Sequence, residues 1–158
     1  MDATLTGLLD ELARFGQDND ARETERPRRM LNITPDTGRL LWILIQATGA
    51  TRILEVGTSN AFSTIWLADA ARGTGGRVTT LELNPDKVAM ARPNLARAGL
   101  GDLVEIIEGP AGDTLRDLSA IAGAMVRALE AIYHTRPEYP QRPEGASPRP
   151  PVQLVAKP

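Results

Sequence analysis

Arg52-Ile53-Leu54-Glu55-Val56-Gly57-Thr58-Ser59-Asn60-Ala61-Phe62-Ser63-Thr64 is the stretch on which the fold turns. An apolar, β-branched run meets an acidic residue, a glycine and then small polar residues. A helical pattern follows from Ser63 to Arg72. The spacing predicts strand, tight turn and helix. In an open parallel sheet such a turn is where a ligand sits, at the carboxyl end of one strand and the N-terminus of the next helix. Gly57 lets the backbone turn sharply and come close to that ligand. Glu55 sets a carboxylate beside the turn.

The pattern disfavours a dinucleotide. The dinucleotide fingerprint is G-x-G-x-x-G, and the matching window here holds Gly57, Ser59 and Phe62. A carboxylate two residues before the glycine repels a pyrophosphate but suits a cationic ligand. S-adenosylmethionine carries an ammonium and a sulfonium and no phosphate. The residues therefore read as a pocket for a nucleoside joined to an amino acid. An ordinary strand-turn-helix of an α/β domain is the competing reading of this segment taken alone.

A second turn has the same plan. Gly76-Arg77-Val78-Thr79-Thr80-Leu81-Glu82-Leu83 is a β-rich run ending in an acid, and Asn84-Pro85-Asp86-Lys87 opens a helix with proline at its first position. Glu82 at the strand tip is placed to accept hydrogen bonds from ribose hydroxyls, as acids do in other nucleotide-binding βαβ units. A solvated strand-end acid is the plainer alternative. The third turn follows a strand over Asp102 to Glu108. Gly109-Pro110-Ala111-Gly112 reads as a loop, with Asp113 as N-cap of a helix from Thr114 to Leu118 and beyond. A residue as small as Ala111 leaves room for an adenine ring against the backbone.

Taken in order, these segments resemble class I S-adenosylmethionine-dependent methyltransferases, and more narrowly the O-methyltransferases that include the catechol and caffeoyl-coenzyme A enzymes and bacterial relatives. The resemblance rests on Leu54-Glu55-Val56-Gly57-Thr58 through Ser63-Thr64, on Leu81-Glu82-Leu83-Asn84, and on Glu108-Gly109-Pro110-Ala111. Met30-Leu31-Asn32-Ile33-Thr34-Pro35-Asp36-Thr37-Gly38 also resembles the loop and helix start ahead of the first strand in bacterial members. The resemblance implies S-adenosylmethionine as cofactor and a small-molecule hydroxyl as methyl acceptor. It implies that Glu55, Gly57 and Ser63 serve the methionine end, Glu82 the ribose and Ala111 the adenine, with Thr58 as a further cofactor-binding residue. Thr34 is carried over as a loop residue near the cofactor carboxylate. The family usually has glycine where this chain has Ala61. If positive φ is needed there, the substitution costs on the order of 1 kcal/mol.

The expected fold class is α/β: half of a Rossmann-like methyltransferase sheet, strands parallel in the order 3-2-1, with two N-terminal helices and a Pro-rich irregular tail. Residues 1–134 are expected as a partial methyltransferase domain, with N-terminal helices over 1–50 and cofactor-binding βα units over 51–134. Residues 135–158 are expected as a disordered tail, since seven of the twelve prolines lie from Pro137 to Pro158. Ser119 to Tyr133 reads as helix, and Val152 to Val155 as at most a short strand.

The resemblance ends at about residue 118. A divalent metal is expected for the family, but its aspartate-rich ligand segment has no counterpart: Asp117 is the last aspartate, and only Glu130, Glu138 and Glu144 follow. No catalytic base or metal ligand is assigned. The lone His134 reads as an exposed residue. Two origins stay open for the tail, a truncated variant or a reading frame shifted near residues 118–125. A non-catalytic cofactor-binding or interaction protein is the alternative function.

The remaining sequence sets broader bounds. A length of 158 fits one domain, and a net charge of −2 argues against an electrostatic nucleic-acid binder. No apolar run is long enough for a membrane span. The absence of cysteine excludes disulfides and thiolate metal sites and fits a cytoplasmic setting. Thr4 to Phe15 reads as an amphipathic helix with Leu5, Leu8, Leu9, Leu12 and Phe15 on one stripe, for core or homodimer packing. Gln17 to Arg29 reads as a polar surface linker. Thr37 to Ala47 reads as a second helix, with Leu40, Leu41, Leu44 and Ile45 inward, ended by Gly49-Ala50. With no fourth strand in view, the first strand is expected to be an open edge that invites association.

Overall fold

The structure, a computed structural model, describes residues 2–117. The chain divides into two compact units, Met1–Pro110 and Ala111–Pro158. The first unit runs α1 (Ala3–Arg22), a 3-10 turn (Arg26–Arg28), α2 (Pro35–Thr48), β1 (Arg52–Val56), α3 (Phe62–Thr74), β2 (Arg77–Glu82), α4 (Pro85–Arg97), a second 3-10 turn (Gly101–Leu103) and β3 (Val104–Glu108). Of the second unit, α5 (Ala111–Asp117) is described. The expected helix over 119–133, His134, the tail over 135–158 and the short strand over 152–155 lie outside the described residues. No helix among the described residues is long and apolar enough to cross a membrane.

The three strands are parallel in the order β1-β2-β3, the half-sheet expected. Register sets Glu55 beside Thr80 and Glu82 beside Glu108. Neighbours in register share a face of the sheet. One face carries Ile53, Val78, Val104 and Ile106 into the core, where Phe62, Ile65 and Ala68 of α3 meet them. Leu5, Leu8, Leu9 and Leu12 of α1 close the same core.

Three helix starts have a local cause. Asp2 caps α1 by accepting the Leu5 amide at 2.8 Å. Thr34 caps α2 through the Thr37 amide, with Pro35 at the first position. Asn84 caps α4 through the Asp86 amide, with Pro85 next. These side chains satisfy amides that have no partner inside the helix.

Four sequence expectations are corrected. The span from Gln17 to Arg29 is not all linker, because α1 continues to Arg22. Its polar residues are used for tertiary ties. Asp20 accepts the Met30 and Leu31 amides at 2.5 and 2.8 Å, and the Asn19 amide donates to the Arg28 carbonyl at 3.0 Å. Burial pushes the Asp20 carboxyl up, but Asn19, the Leu31 and Met30 amides and the nearby Arg29 charge together hold it below the ordinary aspartate range. Phe15 is exposed, and Gly16 takes the next inward position on α1, where a Cβ would meet the Asn32 side-chain nitrogen at 2.4 Å.

On α2, Leu40 and Leu44 are half exposed together with Ile43, while Ile45 is buried and Leu41 and Trp42 are packed partly into the core. Two hydrogen bonds choose the face that meets α3: Trp42 Nε1 donates to Asp69 at 2.8 Å and Gln46 to the Ala70 carbonyl at 2.7 Å. The apolar pattern on α2 is wider than the face these bonds select. Finally, Ala111 is the first residue of α5 rather than part of a loop, so Asp113 lies within the helix and does not cap it.

Candidate functional site

The turn after β1 is built from backbone that side chains ordinarily avoid. Gly57, Ser59 and Ala61 have φ of 96°, 50° and 69°. Gly57 is exposed, and the space its Cβ would occupy is open. Its amide donates to the Leu81 carbonyl at 2.8 Å, extending the β1–β2 ladder by one step. Ala61 precedes α3 in the left-handed region and is fully buried. The positive φ made conditional by the sequence is therefore present, at a cost of about 1 kcal/mol relative to glycine.

Asn60, which sequence reasoning passed over, holds this turn together. It is fully buried. Its side-chain oxygen accepts the Phe62 amide at 3.2 Å and its nitrogen donates to the Leu12 carbonyl at 3.4 Å. The Asn94 amide donates in turn to the Asn60 carbonyl at 3.0 Å. One asparagine thus joins α1, α3 and α4. No short motif marks it, because its partners are 34 and 48 residues away.

Glu55 points from β1 into the start of α3. Ser63 donates to one of its oxygens at 2.5 Å, and Thr64 and Thr80 donate to the other at 2.6 and 2.7 Å. Burial pushes the carboxyl above the ordinary glutamate range, against the lowering effect of these three hydroxyls, and the Glu82 charge adds to the rise. Thr58, fully buried, lies 2.8 Å from the Thr80 hydroxyl.

Glu82 ends β2 and is 8% exposed. The Ser59 amide donates to one carboxylate oxygen and the Asn84 amide to the other, both at 2.9 Å. The carboxylate is locked in place with lone pairs left on both oxygens. Beside it Leu83 is 69% exposed, an apolar side chain standing free at the strand tip. Sequence reasoning did not single out Leu83; exposure is the signal that marks it.

The loop before α2 lies across these turns. Ser59 Oγ donates to the Met30 carbonyl at 2.7 Å, Lys87 Nζ to the Arg29 carbonyl at 2.7 Å, and the Asn84 side chain to the Pro27 carbonyl at 3.2 Å. The fold thus brings Glu55, Gly57, Thr58, Ser63 and Glu82 to the carboxyl ends of β1 and β2. Thr34 stands apart: its hydroxyl engages the Thr37 amide and hydroxyl of its own helix. Ala111 belongs to the second unit and is described only as the start of α5.

A cavity of about 480 Å³ opens at the opposite, amino ends of β1 and β2, lined by Arg52, Arg72, Arg77 and the Gly75–Gly76 backbone. Arg72 pairs with Asp69 in the last turn of α3, where cations offset the helix dipole. That cavity is remote from the turns just described. Among the described residues no group of three or more His, Cys, Asp or Glu is placed to hold a metal ion.

The sequence model of a family described as O-methyltransferase matches residues 3–126. A catechol O-methyltransferase of Mycobacterium tuberculosis is 44% identical over 119 residues, which cover 75% of this chain and 52% of that protein. A catechol O-methyltransferase of Niastella koreensis is 42% identical over 88 residues, covering 56% of this chain and 39% of that one. Among solved structures, the O-methyltransferase from Bacillus cereus in complex with SAH aligns with a TM-score of 0.56 at 38% identity, over 73% of this chain and 47% of that one. TomG, an O-methyltransferase from Streptomyces achromogenes in complex with SAM, aligns with a TM-score of 0.57 at 33% identity, over 76% of this chain and 48% of that one. The chain spans about half the length of these relatives.

Proposed function

Since the chain belongs to the O-methyltransferase family, we propose that its first unit is the cofactor-holding half of an S-adenosylmethionine-dependent O-methyltransferase acting on a hydroxyl of a small molecule. Catechol-like compounds are the acceptor class that the named relatives suggest. Residues 1–134 are taken as the methyltransferase part and 135–158 as the Pro-rich tail. A cytoplasmic setting fits a chain without cysteine.

The observation that carries this reading is the locked Glu82 carboxylate. Two backbone amides hold it, one of them from Ser59 in the turn that follows Gly57, where the space of a Cβ is open. Two acceptor oxygens in fixed positions suit the paired hydroxyls of a ribose. Leu83 is taken as an apolar wall for the adenine. Glu55, Gly57, Thr58 and Ser63 are assigned to the methionine end, with Thr34 as an outer residue of that end. Bound there, the cofactor supplies an electrophilic methyl group on a sulfonium. The chain's part is to hold that group in line with an acceptor oxygen, so that proximity lowers the barrier. The described residues do not provide the donor set of a divalent metal, and no step is assigned to one.

Titration calorimetry with S-adenosylhomocysteine tests the reading. Binding that is lost in Glu82→Ala is the expected result. No heat at millimolar ligand would instead make this a non-catalytic interaction protein.

A further inference from the structure

The amino ends of β1 and β2 carry a cationic cluster that the cofactor reading does not use. Arg52 and Arg77 open the two strands and stand opposite each other in register, so both side chains leave the same face of the sheet. The Arg77 amide donates to the Thr51 carbonyl at 2.9 Å, which fixes that step of the ladder. Gly76 permits the close approach: a Cβ there would meet the Thr51 backbone at 2.7 Å. Two like charges side by side repel. Among the described residues neither guanidinium has an ion pair or a side-chain hydrogen bond to offset that repulsion.

Arg72 brings a third cation to the same cavity of about 480 Å³. One of its nitrogens pairs with the buried Asp69 carboxylate, which also accepts Trp42 Nε1 at 2.8 Å. Arg72 is thereby held in place, with further guanidinium N–H groups left to donate. Leu103 gives the cavity an apolar wall, and Thr79 gives it a hydroxyl that donates to Glu105 at 3.4 Å. Glu105 lies on β3, so negative charge in the cavity is favoured at the Arg52 side, away from it. Guanidinium groups grip phosphate oxygens through paired N–H donors. The cavity has the size of a small-molecule pocket, with room for more than a bare phosphate ion.

We propose that the amino ends of β1 and β2 form a second binding site, for a small phosphate monoester: Arg52 and Arg77 grip its phosphoryl group, Arg72 stands beside them, and its organic part lies against Leu103. The site is at the opposite ends of the strands from Glu55 and Glu82, so it does not depend on the cofactor reading.

Calorimetry on the full chain at constant ionic strength tests this with phenyl phosphate, inorganic phosphate and phenol. Phenyl phosphate is expected to bind more tightly than inorganic phosphate, and phenol not at all. Arg52→Gln and Arg77→Gln should each weaken phenyl phosphate about tenfold, the scale of a hydrogen bond to a charged group. Arg39→Gln, at an exposed position on α2, should leave it unchanged. Phenyl phosphate should also raise the thermal midpoint of the unaltered chain. Without ligand, Arg77→Gln should keep that midpoint or raise it, because it removes a like-charge neighbour. No heat at millimolar phenyl phosphate, unchanged binding when both arginines are replaced, or an equal loss in Arg39→Gln would overturn the inference. Inorganic phosphate binding as tightly as phenyl phosphate would overturn it in favour of the free ion. A lower midpoint in ligand-free Arg77→Gln would overturn it too, by showing that the arginine serves the carbonyl end of α3 instead.

Discussion

The carboxyl ends of β1 and β2 and the outer side of α2 and β1 are opposite kinds of surface. At the first, nearly every polar group has a partner: Glu55 has three hydroxyls, Glu82 two amides, and Asn60 contacts on α1, α3 and α4. At the second, Leu40, Ile43, Leu44 and Val56 are about half exposed, and β1 has a strand neighbour on one side only among the described residues. Polar satisfaction at the first surface restrains a turn with three non-ideal φ angles. Apolar exposure at the second marks side chains whose substitution costs little stability.

Phe62→Ala should break the first region most severely. Phe62 is 1% exposed at the start of α3, and truncating a buried phenylalanine costs about 3–5 kcal/mol, read as a lower denaturant midpoint. Asn60→Ala should cost about 1–3 kcal/mol, because it leaves the buried Phe62 amide without its acceptor. A loss below experimental error would show that the turn does not depend on this residue. Ala61→Gly should go the other way, gaining up to about 1 kcal/mol by relieving the left-handed conformation. A loss of stability there would mean that the packing of the buried methyl outweighs the backbone strain.

Glu55 gives a signed pH test. Its folded carboxyl is raised by burial, so the folded state holds the proton more tightly than the unfolded one. Stability from this source is full below the unfolded glutamate value and is lost as pH rises through the raised folded value, then stays flat. The stability difference between the unaltered chain and Glu55→Gln should show that fall. A difference that instead grows with pH over the same window would mean that the three hydroxyls outweigh burial. The smallest expected effect is at the second region. Leu44→Ser should move stability by no more than about 0.5 kcal/mol, while lowering self-association in light scattering. A loss of several kcal/mol would show that this face is covered in solution.

The turns after β1 and β2 were legible because strand, glycine and acid recur in a fixed order along the chain. Glu55, Gly57 and Glu82 stand out for that reason, and so does the conditional strain at Ala61. Thr80 and Asn60 did not stand out. A threonine in a strand is ordinary by propensity, and its role appears only when register sets it opposite Glu55. Leu40 and Leu44 were misplaced because helical period identifies an apolar face without saying what covers it.

The sequence by itself determined the parallel α/β half-fold, the helix start with Pro85 at its first position, and the family to which the chain belongs. Those depend on local propensity and on ordered short motifs, both readable along one dimension. The tertiary structure alone decided which face of α2 meets α3, how α1 uses its polar end to hold the Met30–Leu31 loop, and which hydroxyl of β2 meets Glu55. Each of those depends on groups ten or more residues apart meeting within hydrogen-bonding distance. Such meetings are fixed by register and packing, which no stretch of sequence states on its own.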